Sequence, residues 1–260
     1  MAPGPPDSVS RVPPIEFVDL PTRGRVFRAQ RRVRLGDVTP AGRARFDALA
    51  RYLQDIARDD SADSALENPM GWVVRRTAIR VRRWPTFQEL LASATWCSGI
   101  GPRWAERRTE IVGEHGALID TATLWVHVDA ATARPARLVK GFAERYGEAA
   151  GGRGADAKLL LASEAPGDVV PLPWPLRYSD FDILGHMNNA AYWAALEEIL
   201  VARSVADLAT TAVIEHRQAI APGQLATVFV APADTDGAWG WWLVAGGATA
   251  AAGLFIPSTG

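Results

Sequence analysis

Lysine is almost missing from this chain: only Lys140 and Lys158 occur, and every other basic side chain is arginine, a bias that fits genome composition. Cysteine is scarcer still. Cys97 stands alone, which excludes a disulfide framework and a thiolate metal cluster. That usage fits a reducing compartment, so a cytoplasmic location is expected. Neither charge sign is in excess, with 28 basic and 29 acidic groups and a net charge of -1. A nucleic-acid partner, which calls for a basic surplus, is disfavoured. No stretch approaches the roughly 18 uncharged apolar residues of a membrane span. The alanine-rich run 243–256 is short and broken by glycines. His115 and His127 lack ligand-spaced partners, so no metal and no cofactor are expected. The opening residues MAPGPPDSVSRVPP show no basic stretch followed by an apolar run and do not read as a signal peptide.

What is present is an ample core, 48 % of 260 residues being hydrophobic. Residues 1–24 hold six prolines and read as a tail or a loosely packed arm. A strand is expected over 26–35. Phe46, Leu49, Leu53, Ile56 and Ala57 then recur at helical spacing, predicting an amphipathic helix of about four turns. Strand-like runs follow at 73–81, 90–99, 103–112 and 118–129, separated by Pro85, Gly101, Gly113 and Gly116. A long helix followed by antiparallel strands defines an α+β unit. Residues 148–164, rich in Gly, Ala and charge at their start, read as an exposed linker. The order then repeats, with a strand leading into Arg177, a helix over 188–205, and strands at 212–220, 225–230, 240–244 and 247–256.

The repeat is visible residue by residue. Shifted by 143 positions, Arg34 meets Arg177 (177 − 34), Asp37 meets Asp180, Gly42 meets Gly185, Leu53 meets Leu196 and Ile56 meets Ile199. Leu90 and Leu225 correspond at a shift of 135 (225 − 90), a shorter helix-to-strand connection in the second half. Two halves are therefore expected, 25–147 and 165–260, each wrapping a sheet around its own helix, with the sheets joined side by side.

The halves differ at one place. The turn before the second helix carries Asp182, Gly185, His186, Asn188 and Asn189, where the first half has Thr39, Gly42, Arg43, Arg45 and Phe46. Both keep the glycine, suited to a tight turn. Only the second keeps titratable and amide groups, so it reads as a site and the first as its scaffold. An aspartate here can act as nucleophile or as general base toward water, and a histidine exchanges protons near neutral pH. The following helix start offers unpaired N–H groups and a positive dipole end toward an oxyanion. Asn188 or Asn189 suits its N-cap.

The segment Asp182-Ile-Leu-Gly-His186-Met-Asn-Asn189, with Tyr192 after it, resembles the hotdog thioesterase signature. The chain over about 25–255 resembles the acyl-acyl carrier protein thioesterases, which are tandem hotdogs. Trp72 to Phe87, Trp96 to Arg108 and Thr121 to Val126 are similar to that family's first-half strands. The resemblance implies hydrolysis of a fatty acyl thioester carried on acyl carrier protein, with Asp182 and His186 catalytic and Gly185, Asn188 and Asn189 positioning or binding the oxyanion. It also implies a tandem fold that works as a monomeric pseudo-dimer or as a homodimer. Two departures stand out. Leu184 replaces the family's asparagine, and Ala219 and Ile220 replace its acidic residue and cysteine after Glu215-His216-Arg217. Gln218 is the nearest polar neighbour and a candidate for orienting water.

Three rivals follow from the same residues: hydrolysis of acyl-CoA, a non-catalytic acyl-thioester-binding protein, and a hotdog dehydratase, against which the Asn-Asn pair argues. Cys97 and His216 are expected to be structural. Arg75, Arg76, Arg80, Arg82 and Arg83 form a basic run that suits either an acidic carrier protein or a solvated sheet face.

Overall fold

The computed structural model of the protein describes residues 15–66, 71–129, 131–233 and 237–258. Strand β1 (Phe27–Arg32) leads to helix α1 (Phe46–Asp63), then to β2 (Trp72–Arg83), β3 (Leu90–Ile100), β4 (Trp104–Gly113), β5 (Leu118–His127) and helix α2 (Phe142–Ala150). The second half runs β6 (Leu172–Trp174), α3 (Asn189–Ala202), β7 (Thr210–His216), β8 (Ala226–Pro232), β9 (Trp239–Ala245) and β10 (Ala248–Pro257). One ten-stranded sheet orders them β1-β3-β4-β5-β2-β7-β10-β9-β8-β6. Read inward from either edge, the two halves have equivalent strand orders.

The seam between the halves is the antiparallel pair β2–β7, in which Ala78 lies opposite Val213. These residues are 135 positions apart (213 − 78), the shift that also relates Leu90 to Leu225. Each is therefore the other's counterpart, and an approximate twofold axis passes between them. The α+β architecture of two sheets joined edge to edge, each around a long helix, is as expected.

Helix α1 buries Phe46, Leu49, Leu53, Ile56 and Ala57, the periodic face read in the sequence. It packs against α3, with the Phe46 and Trp193 rings stacked 5.5 Å apart. Removing such side chains from water is the main drive for this layering.

One expectation is corrected. Helix α2 occupies residues assigned to the end of the first half and the start of the linker, and its Phe142, Tyr146, Ala149 and Ala150 are buried. The rest of 148–164 is largely exposed, as expected of a linker, and is tied to the sheet by hydrogen bonds. The buried Glu215 carboxylate accepts the Leu160 and Leu161 N–H groups at 2.7 and 3.1 Å. Arg76 donates to the Lys158 carbonyl, Arg217 to those of Leu161 and Ala162, and Trp242 to that of Ala162. Of the expected tail, residues 1–14 lie outside the described residues, while Ile15 and Phe17 pack on the outer face of the sheet beside Leu161.

Candidate active site

The turn before each long helix is built twice with the same bonds. In the first half Asp37 accepts the Arg34 N–H, Thr39 N–H donates to Arg43 O, Gly42 N–H to Thr39 O, and Arg45 N–H to Asp37 O. In the second, Asp180 accepts the Arg177 N–H, Asp182 N–H donates to His186 O, Gly185 N–H to Asp182 O, and Asn188 N–H to Asp180 O. Gly42 and Gly185 both sit at positive φ, 85° and 73°, which closes the turn at little steric cost. The scaffold is common to both halves, and the side chains make the difference.

In the second half those side chains converge. The half-buried Asp182 accepts the Leu184 N–H on Oδ1 at 2.9 Å and the Asn188 amide on Oδ2 at 3.1 Å. Asn188 is the N-cap of α3, its Oδ1 accepting the Ala190 N–H at 2.8 Å. The same Oδ1 accepts Gln54 Nε2 at 3.1 Å from α1 of the other half. A chain of hydrogen bonds thus runs from one half to the carboxylate of the other. Gln54 escaped the sequence reading, although the 143-residue shift pairs it with Glu197 (197 − 54).

The cap consumes the Ala190 N–H, and the Ala191 N–H donates to Asn188 O. The Asn189 N–H is left as the donor at the helix start without an acceptor among the described residues. Its first-half counterpart, the Phe46 N–H, is filled: it donates at 3.1 Å to Glu197 Oε2. Glu197 is itself held by the buried Arg43, which stands where the second half has His186. One half closes its helix start with a carboxylate, and the other leaves it open.

His186 is exposed, on the same turn as Asp182, with its ring turned to no described partner. Leu184, where the resemblance calls for asparagine, points to solvent and contributes only its backbone N–H. Gln218 makes no hydrogen bond to the Asp182 carboxylate among the described residues. Its Nε2 donates to Ala245 O at 3.1 Å and Ala248 O at 3.4 Å, bracing the β9–β10 turn. The basic run is also largely committed. Arg75 donates to His216 O and Arg76 to Lys158 O, Arg80 and Arg82 pair with Asp120, and Arg83 donates to Gly116 O. Cys97 is buried, which pushes its thiol up to about 11.

Beside Asn189 a small cavity of about 20 Å³ forms a throat between α1 and the sheet, and it shares Gln54, Arg107 and Trp125 with a chamber of about 240 Å³. The chamber is largely apolar, with Leu66, Trp72, Val139 and Phe142 in its wall, so α2 helps to enclose it. No group of three or more metal-ligating side chains occurs among the described residues. No helix among them is long and apolar enough to cross a membrane.

Comparison with known proteins agrees with this geometry. The model of the acyl-ACP thioesterase N-terminal domain matches residues 24–146, and that of the C-terminal domain matches 164–240. An uncharacterized Mycobacterium tuberculosis protein is 29% identical over 215 residues, 82% of this chain and 86% of that one. The 12:0-ACP thioesterase from Umbellularia californica superposes with a TM-score of 0.70 at 20% identity, covering 91% of this chain and 99% of that one. An acyl-ACP thioesterase from Bacteroides thetaiotaomicron gives 0.73 at 16% identity, covering 90% and 98%. Those two structures share the fold, and the family models span both halves. With the same turn built twice and titratable side chains kept in one copy, the chain belongs to the acyl-ACP thioesterase family and is a hotdog-fold thioester hydrolase.

Proposed function

We propose that the protein releases fatty acids from acyl carrier protein, with Asp182 and the start of α3 as its working parts. The thioester carbonyl lies against the Asn189 N–H, and the acyl chain passes through the throat into the chamber. The Asp182 carboxylate, aligned by Leu184 N–H and the Asn188 amide, takes a proton from water as the water attacks the carbonyl carbon. The oxyanion forms on the Asn189 N–H at the positive end of the α3 dipole. Collapse expels the thiolate, which receives the proton held by Asp182, relayed by the exposed His186 on the same turn, so that the carboxylate is restored. Gly185 sets the turn that brings these groups together.

One observation carries the reading: the donor equivalent to Asn189 N–H already holds a carboxylate oxygen in the first half. The repeated turn therefore makes a working anion site, left vacant by the protein's own side chains beside Asp182. The missing acidic residue and asparagine leave Asp182 as the one carboxylate assigned to water. The carrier preference rests on the family, since the basic run is largely spent on internal bonds.

The test is turnover of matched acyl thioesters on acyl carrier protein and on CoA, with wild type, Asp182→Asn and Asp182→Ala. Loss of the base should lower kcat about 100-fold or more. The carrier protein substrate should give the higher kcat/KM. Equal rates on both carriers would remove the preference. No cleavage above the Asp182→Ala background would remove the hydrolytic assignment.

A further inference from the structure

The throat wall is mostly apolar, with Leu53, Val74 and Trp193 in it, but Thr77, Thr109 and Thr123 set hydroxyls into it beside the Trp125 indole. Thr77 and Thr123 are cross-strand partners on β2 and β5, and Trp125 follows Thr123 on the same face of its strand. Thr109 is occupied, its hydroxyl donating to Thr95 Oγ1 at 3.0 Å. The hydroxyls of Thr77 and Thr123 make no hydrogen bond to a described residue, and the Trp125 Nε1 is buried with no partner. A buried donor such as the Trp125 N–H costs free energy unless something satisfies it, and the two free hydroxyls stand beside it.

We propose that the preferred acyl group carries a neutral oxygen close to its thioester, a β-hydroxyl or β-keto group, seated between Thr77, Thr123 and Trp125. Resting on the reading of Asn189 as the oxyanion site, the inference adds the class of acyl chain. The throat adjoins Asn189, which places the oxygen near the carbonyl, while the apolar chamber beyond takes the rest of the chain. The substituent is neutral because Arg107 is already engaged: its guanidinium meets the buried Asp60 carboxylate, which Arg25 also holds, at 2.7 Å. A carboxylate on the chain would enter a throat whose one cation among the described residues is already paired.

Binding and hydrolysis separate this inference from the reading beneath it. Thioether analogues of β-hydroxydecanoyl- and decanoyl-pantetheine, which cannot be hydrolysed, are titrated into wild type and the Thr77→Val/Thr123→Val variant. Thioester cleavage of the same two chains is measured in parallel. The hydroxylated analogue should bind wild type about tenfold more tightly, the worth of one or two added hydrogen bonds. The double variant, with volume nearly kept, should bring that ratio close to one. Equal or tighter binding of the plain chain to wild type overturns the inference, as does a preference that survives the double variant. Selective binding without any cleavage would keep the inference and remove the hydrolytic assignment. Cleavage without selectivity would do the reverse.

Discussion

Gln54 and Glu197 hold the same place in the two halves, and each reaches across to the start of the other half's long helix. Glu197 Oε2 accepts the Phe46 N–H at 3.1 Å, and Gln54 Nε2 donates to Asn188 Oδ1 at 3.1 Å. The two differ by one oxygen for one amide nitrogen. The carboxylate shuts the helix start it faces, whereas the amide braces the cap and leaves the neighbouring N–H open.

Converting one into the other should therefore close the site. Gln54→Glu places a carboxylate where it competes for the Asn189 N–H, and kcat should fall about 100-fold, the scale of losing one oxyanion donor. Gln54→Leu removes only the brace on Asn188, and a loss of roughly tenfold is expected. Steady-state kinetics on both variants, with circular dichroism to check the fold, gives the ranking. A leucine variant as impaired as the glutamate variant would contradict the competition.

The closed half should pay in stability rather than rate. Arg43 and Glu197 are both buried and paired, and Arg43 also meets Asp207 and stacks over Trp84 at 4.4 Å. Glu197→Ala leaves a buried guanidinium facing a cavity and should cost about 3–5 kcal/mol in denaturant unfolding. Glu197→Gln keeps an acceptor for Phe46 N–H and should cost less. Identical losses would mean the charge on Glu197 is irrelevant.

His216 should give the protein an acid-sensitive fold. Both its ring nitrogens are buried without partners, and the ring meets Tyr192 edge-on at 4.8 Å. Burial, with the Arg75 charge adding to it, lowers its pKa to about 4. Between that value and the unfolded value of about 6.5, the unfolded chain binds the extra proton. Stability from this residue is thus complete above about pH 6.5 and is lost as pH falls toward 4, by about 3 kcal/mol in all. Denaturant unfolding from pH 7.5 to 4 should show a flatter profile for His216→Phe than for wild type. Parallel profiles would refute the assignment.

Much of this architecture was legible in the chain. The 143-residue shift located the repeated turn, because Gly42 and Gly185 and the paired aspartates Asp37 and Asp180 are set by local backbone needs. The Asp182 to Asn189 segment stood out because its copy lacks the same groups. Helix α2 was missed, although Phe142, Tyr146 and Ala149 carry helical spacing, because flanking glycines and charges read as a linker. The binding of residues 158–162 to the sheet depends on Glu215, Arg217 and Trp242, more than 50 positions away, and no local pattern encodes it. Gln54 was passed over for a similar reason. A polar residue on a helix is unremarkable until its neighbour from the other half is known, and the repeat shift supplies that neighbour only when every position is paired.

The meeting of Ala78 with Val213 on the seam has a wider meaning. In a dimer of identical subunits, a residue on the twofold axis must face a copy of itself, so any substitution there is made twice. Joining both copies in one polypeptide lifts that constraint. A small side chain can answer a larger one, and one copy can surrender its chemistry to become a container while the other keeps it. Symmetry here is an inheritance that selection is free to break, one position at a time.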